Sequence, residues 1–176
     1  MSTDSGRPLL ILDLDGVLQA PRLAWPDRRT MEVVTPTLRI TVTVSDALFE
    51  SLNVGLTVVW CTSWLRDPDL DAFIDQTGAG RHGWLKNGLR VAYPLDVPVA
   101  PLDWKARAVE QYLETQSPRR PVVWVDDDSP WSDGRGIDWG RRPHLLIAPE
   151  PMTGLTPEHL ETIRAQVAHW DAMTKP

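Results

Sequence analysis

Residues 9–18 read LLILDLDGVL. Four apolar residues run into two aspartates separated by one leucine and followed by glycine. A continuous apolar run of this kind suits a parallel strand covered on both faces, where no polar alternation is needed. In a strand, residues two apart share a side. Asp13 and Asp15 can therefore point into one site, with Gly16 letting the chain turn away at once.

The same pattern recurs along the chain. LTVVWCT (56–62), PVVWVDD (121–127) and HLLIA (144–148) are further short apolar runs, predicted as strands. MEVVTPTLRITV (31–42) reads as two short strands around a Thr-Pro turn, a hairpin. SDALFESLN (45–53) has a serine or aspartate cap, Leu48 and Leu52 at helical spacing, and Gly55 beyond its end. DPDLDAFIDQTG (67–78) lies between Asp-Pro and Gly78 with Leu70, Phe73 and Ile74 on one face, so it is predicted as a helix. After a Gly-rich stretch expected to be irregular, LRVAYPL (89–95) reads as a short strand. DWKARAVEQYLETQ (103–116) turns Ala106, Val109 and Leu113 inward, and TPEHLETIRAQVAHW (156–170) is a helix opened by Thr156 and Pro157. Strands alternating with helices imply a single α/β domain with a largely parallel sheet and a small hairpin flap after the first strand. It is expected to fill residues 1–176, with a catalytic core over about 8–150 and the last helix over about 156–171.

The 176-residue chain, 42% hydrophobic and 24% charged, has the composition of an ordinary globular domain. It lacks a run of about 18 uncharged apolar residues, so no membrane partner is expected. MSTDSGRP has no basic segment before the short LLIL run, which does not read as a signal peptide; a cytoplasmic location is the expectation. The single cysteine, Cys61, excludes an internal disulfide framework and a multi-cysteine zinc site. A net charge of −6 argues against a surface that tracks nucleic acid throughout, though the pairs Arg28–Arg29, Arg119–Arg120 and Arg141–Arg142 can line a local groove or simply be solvated.

In open parallel sheets, ligands bind beyond the carboxyl ends of the strands. Asp13 and Asp15, then Thr62 and Ser63, then Asp126, Asp127 and Asp128 fall at three such ends. Carboxylates converging there repel unless a cation sits between them. An oxygen-only set without histidine or cysteine suits a hard ion, Mg²⁺. The competing reading is that these aspartates only end strands and cap helices.

LLILDLDGVL, VVWCTSW, the lysine opening a helix in DWKARAV, and VVWVDDD resemble the four ordered motifs of the haloacid dehalogenase (HAD) superfamily, over residues 9–128. MTGLTPEHLETI resembles the end of one subgroup, the HAD domain of Swiss Army Knife RNA repair proteins, in which a threonine and a tryptophan follow the second strand. The resemblance implies a Rossmann-like fold and a phosphatase that works through an aspartyl-phosphate on Asp13. It implies Asp15 as general acid and then base, and Thr62, with Ser63 as the other candidate, as the hydroxyl that binds a phosphoryl oxygen. Lys105 would neutralise the nucleophile and the transferring group. Asp13, the backbone carbonyl of Asp15, and Asp126 would hold Mg²⁺, with Asp127 assisting or orienting a metal-bound water. Asp128 departs from a paired-acid motif and reads as a cap.

Neither residues 19–56 nor 64–104 leave room for a large cap domain, so a capless, open site is expected. Such a site suits a phosphorylated small molecule or a nucleic-acid end. Trp64 and Trp25 can offer a stacking face to a base or pack locally, and Arg66 can reach a second phosphate. Trp124 and Cys61 read as core. The four histidines have no metal-ligand spacing, and SPWSDGRGIDWGRR (129–142) is the candidate substrate-contacting loop. Hydrolysis, transfer to an acceptor other than water, and a non-catalytic Mg²⁺- and phosphate-binding module all remain open on sequence alone, as does oligomeric state.

Overall fold

A computed structural model describes residues 6–37, 39–53, 55–65, 68–94, 103–116, 119–128 and 137–174. Its centre is a five-stranded sheet of β1 (Leu9–Leu12), β4 (Thr57–Trp60), β5 (Leu89–Arg90), β6 (Val122–Val125) and β7 (His144–Ile147), in the order β5-β4-β1-β6-β7 with every pairing parallel. β2 (Arg29–Val34) and β3 (Arg39–Val44) form a separate antiparallel hairpin. The helices are α1 (Asp46–Ser51), α2 (Asp69–Gln76), α3 (Gly83–Lys86), α4 (Trp104–Glu114) and α5 (Pro157–Thr174). The expected class, a parallel α/β sheet with a hairpin after the first strand, is the one observed.

Both faces of β1 are covered, which is why it reads as unbroken apolar sequence. Leu10 and Leu12, with Val58, Trp60, Val123 and Val125, face a core built from the hairpin, α1, α2 and α5. Leu9 and Ile11, with Val59, Cys61, Val122 and Trp124, face the opposite way, onto Ala106, Val109 and Leu113 of α4. Trp124 and Cys61 are core residues as expected. Burying a side chain of this size contributes roughly 1.5–3 kcal/mol each, so these two layers supply most of the cohesion.

Local signals explain the helix ends. The Ser45 hydroxyl accepts from the Leu48 amide at 3.0 Å, satisfying one of the orphan donors at the start of α1. Gly78, at φ +83°, follows the end of α2 where a left-handed residue is needed. The Gly-rich stretch expected to be irregular instead forms a 3₁₀ turn (Ala79–Arg81) and α3. Leu85 is fully buried there and its carbonyl accepts the Trp60 indole N–H at 3.1 Å, so packing outweighs the poor helix propensity of glycine.

The hairpin is fastened to α2 and its flanks. The Gln76 side-chain amide pairs with both backbone groups of Val34 (3.0 and 2.6 Å), Thr37 donates to Asp69, and Arg29 bonds the Thr77 carbonyl at 2.6 Å. Arg29, Arg120 and Arg142 are occupied in this way by backbone carbonyls.

After β1 the chain makes a tight turn in which the Leu14 carbonyl accepts from the amides of Val17, Leu18 and Gln19. The segment 150–155 clamps this turn: Leu155 N–H donates to Val17 (3.0 Å), Arg22 to Met152 (2.7 Å), Ala24 to Thr153 (3.0 Å), and the Trp25 indole to Leu155 (2.7 Å). Gly154 sits at φ +66°, and a Cβ there would lie 2.7 Å from the Val17 carbonyl oxygen. MTGLT therefore holds the turn that follows the nucleophile candidate. Trp25 is spent on this packing and presents no stacking face.

Candidate active site

β1 lies between β4 and β6, so its carboxyl end is flanked by theirs. Register brings Leu12 level with Trp60 and Val125, and the next residues, Asp13, Cys61 and Asp126, continue the ladder. Counting by twos, Asp13 and Asp126 lie on the side of Ile11 and Trp124, the side covered by α4. Lys105, in the first turn of α4, reaches both.

Its ammonium donates to Asp13 Oδ2 at 2.6 Å and to Asp126 Oδ2 at 2.8 Å, with only 13% of the lysine side chain exposed. Asp13 Oδ1 accepts the Leu14 amide at 2.7 Å, and Asp126 Oδ1 accepts the Asp128 amide at 3.1 Å. The carboxylates of Asp13, Asp126 and Asp127 offer oxygens within 4.8 Å of one another. Asp127 crosses directly over Gly16, where any Cβ would overlap its carboxyl group; the glycine is required both for φ +64° and for that approach.

Three carboxylates against one ammonium leave two formal negative charges in a buried place. Burial, then the charge of Asp13, pushes Asp126 up to about 7 against the opposing pull of Lys105. The same causes push Asp127 up to about 6. Burial also raises Asp13, although Lys105, the Leu14 amide and the Thr62 hydroxyl all favour its charged form. For Lys105, burial works downward, but the two carboxylates together outweigh it and hold the ammonium above its ordinary range.

A divalent ion would balance this donor set. Every ligand atom is a carboxylate oxygen, and two positive charges neutralise the excess, so the residues present fit a hard divalent cation. A prediction with a definite sign follows. Acids whose folded pKa values lie above their unfolded ones contribute stability at low pH that is lost as pH rises through the folded values. With a chelator present, that loss should run up through about pH 6 and 7, the positions of Asp127 and Asp126. Mg²⁺ takes the place of the protons, so the gap in thermal midpoint between Mg²⁺ and chelator should widen from about pH 5 to about pH 8. A gap that is constant or narrows across that range would contradict this account of the cluster.

The remaining site candidates divide. Thr62 is fully buried against Asp13, whereas Ser63 is exposed in a 3₁₀ turn, Ser63–Leu65. Asp15 does not extend the strand, which ends at Leu12, so the two-residue periodicity does not carry to it. Its carboxylate instead accepts from the Gln19 amide and from the Trp64 indole, the latter at 2.9 Å. Trp64 is 8% exposed and packed edge-on against Phe73 with ring centroids 5.6 Å apart, so it has no free face for a base. Gln19 was not a candidate in the sequence, where it is one more polar residue after a strand. Asp128 is exposed, and its backbone amide donates to Asp126 Oδ1. Arg66 and residues 129–136 of the candidate loop lie outside the described residues.

Compared with known protein families, the chain matches over residues 9–160 the one described as the HAD domain in Swiss Army Knife RNA repair proteins. The chain belongs to this family. No curated protein matches it. Membership puts the HAD domain among phosphatase-type hydrolases that use a divalent metal, and the Asp13–Asp126–Asp127 cluster fits one. The match reaches past the last acidic motif to residue 160, and so includes the 150–155 clamp on the turn after β1. No described helix of this HAD domain is long and apolar enough to cross a membrane.

Proposed function

We propose that the chain is a Mg²⁺-dependent phosphomonoester hydrolase acting through an aspartyl-phosphate on Asp13. The observation that carries this reading is the buried Asp13–Lys105–Asp126 bridge beside the three-carboxylate cluster. A carboxylate held by Leu14 and Lys105 is oriented before substrate arrives, and orientation alone lowers the barrier to attack substantially.

Asp13, Asp126 and Asp127, with the backbone carbonyl of Asp15, would hold Mg²⁺, which when bound neutralises charge and polarises the phosphoryl oxygens. A carboxylate oxygen of Asp13 forms the bond to phosphorus while the ester P–O bond breaks. The departing oxygen takes a proton from Asp15. Asp15, now a carboxylate, removes a proton from water, whose oxygen attacks the same phosphorus. The acyl-phosphate P–O bond then breaks, returning Asp13 and releasing inorganic phosphate. Lys105 stays protonated throughout and balances the negative charge on Asp13 and the phosphoryl group. Thr62, already beside Asp13, donates to a phosphoryl oxygen, with Ser63 exposed next to it.

The substrate class is a phosphorylated nucleotide or nucleic-acid end. The lack of an inserted cap domain among the described residues and the RNA-repair context in the family's description support this. A cytoplasmic setting belongs to the same reading. The test is release of phosphate from an aryl phosphate and from 5′- and 3′-phosphorylated oligonucleotides, with Mg²⁺ and with EDTA. Turnover that requires Mg²⁺ is the expected result. Mg²⁺ binding without turnover of any ester would replace this reading with a binding module.

A further inference from the structure

Asp15 is held more tightly than a general acid in an open cleft needs to be. Its Oδ2 accepts the Trp64 indole N–H at 2.9 Å, and its Oδ1 accepts the Gln19 side-chain amide. The two donors come from different parts of the chain, and each is itself fixed. Trp64 lies in the 3₁₀ turn after β4, buried and edge-on to Phe73 of α2. Its backbone N–H points to the Thr62 hydroxyl at 3.4 Å, so one turn places both the phosphate-binding candidate and the Asp15 donor. Gln19 closes the turn after β1, which segment 150–155 clamps through Val17 and Gly154.

An indole N–H can only donate. It can donate to one carboxyl oxygen in either state of Asp15, more strongly to the carboxylate, provided the proton is on the other oxygen. The Gln19 side-chain N–H₂ occupies one lone pair of Oδ1 and leaves the other to carry the proton. We propose that Trp64 and Gln19 are positioning residues that fix Asp15 through Oδ2 and make Oδ1 the atom that delivers the proton. A proton placed in this way serves an alkyl phosphomonoester, such as one on a sugar hydroxyl, more than an aryl one. The reasoning is that a fixed proton donor matters most where the departing oxygen is a strongly basic alkoxide, and least where it is a phenolate that leaves without help. This rests on the hydrolase reading above, and its test separates the two.

The experiment compares kcat on an alkyl phosphate (glycerol 2-phosphate) and on p-nitrophenyl phosphate for wild type, Trp64→Phe and Gln19→Met, with Mg²⁺ present. Trp64→Phe keeps the ring against Phe73 and removes the N–H. Its kcat on the alkyl ester should fall by roughly 30-fold, with KM little changed, against less than about threefold on the aryl ester. Gln19→Met should show the same selectivity at smaller size, which covers the case in which the tryptophan variant fails to fold. In ¹⁵N-labelled protein, the indole signal assigned by its loss in Trp64→Phe should move and exchange faster in Asp15→Ala. Equal losses on both esters, a wild type active on the aryl ester alone, or an indole signal indifferent to Asp15 would each overturn this inference while leaving the hydrolase intact. Absence of turnover on both esters by wild type overturns the hydrolase reading and this one with it.

Discussion

Asp13→Asn should lower Mg²⁺-dependent phosphatase turnover by on the order of 10⁴-fold or more, while the protein remains folded. The substitution keeps the size and shape of the side chain but replaces one carboxylate oxygen by an amide nitrogen, which cannot attack phosphorus. It also disturbs the hydrogen bonds in a specific way. Asp13 accepts the Leu14 amide on one carboxylate oxygen and the Lys105 ammonium on the other, and asparagine keeps only one of these two acceptors. Lys105 retains Asp126 at 2.8 Å as its second partner, so the amide oxygen can turn to Leu14.

The effect on stability separates a chemical loss from a folding loss. Burial holds Asp13 above the ordinary carboxylate range, and burial together with the Asp13 charge does the same to Asp126, so in metal-free protein at neutral pH these charges cost stability. Removing the Asp13 charge relieves part of that cost and lets Asp126 move back down. Without metal, the variant's thermal midpoint should therefore lie within a few degrees of wild type, and the stabilisation given by Mg²⁺ should shrink because a ligand charge is gone. Turnover above about 1% of wild type would remove Asp13 from the role of nucleophile.

How much of this was legible in the sequence depended on whether a residue's role is local. Strands β1, β4 and β6 were readable because a strand covered on both faces must be apolar throughout, and the aspartates and Thr62 stand out where those runs stop. Gly16 could be read as a turn residue, but its closest constraint, the Asp127 carboxyl passing over it, joins two loops 111 residues apart and leaves no local trace. Lys105 was marked by the family resemblance alone. Helical periodicity placed it at the start of α4 but could not show that α4 docks on the Asp13 side of β1. Trp64 was visible as a tryptophan beside a motif, which supports stacking and packing alike. The answer lay in where its N–H found a partner, and that partner, Asp15, is 49 residues away. The partners of arginines 29, 120 and 142 were hidden for the same reason: which backbone carbonyls each one bonds is a tertiary fact.

Removing Lys105 should produce the opposite signature from Asp13→Asn: a stability loss that metal or acid repairs, and an activity loss that neither does. Lys105→Met fills nearly the same volume but leaves Asp13 and Asp126, at 5% and 0% side-chain exposure, without their shared cation. Breaking a buried ion pair from one side costs roughly 3–5 kcal/mol, because the remaining charge is stranded out of water. For a chain of this length that is a fall of about 10 °C in thermal midpoint. The stranded acids can escape by binding protons, which raises their pKa values further. Stability lost on this account is therefore lost as pH rises, so the deficit should be larger at about pH 8 than at about pH 5.5. Mg²⁺ restores the missing positive charge and should recover most of the midpoint. It does not restore the donor that faces the attacking carboxylate and the transferring phosphoryl group, so turnover should stay about 10²- to 10³-fold down even with saturating metal. A deficit independent of pH and Mg²⁺ would mean that Lys105 contributes by packing its stem, and the charge balance drawn here between one lysine and three aspartates would be wrong.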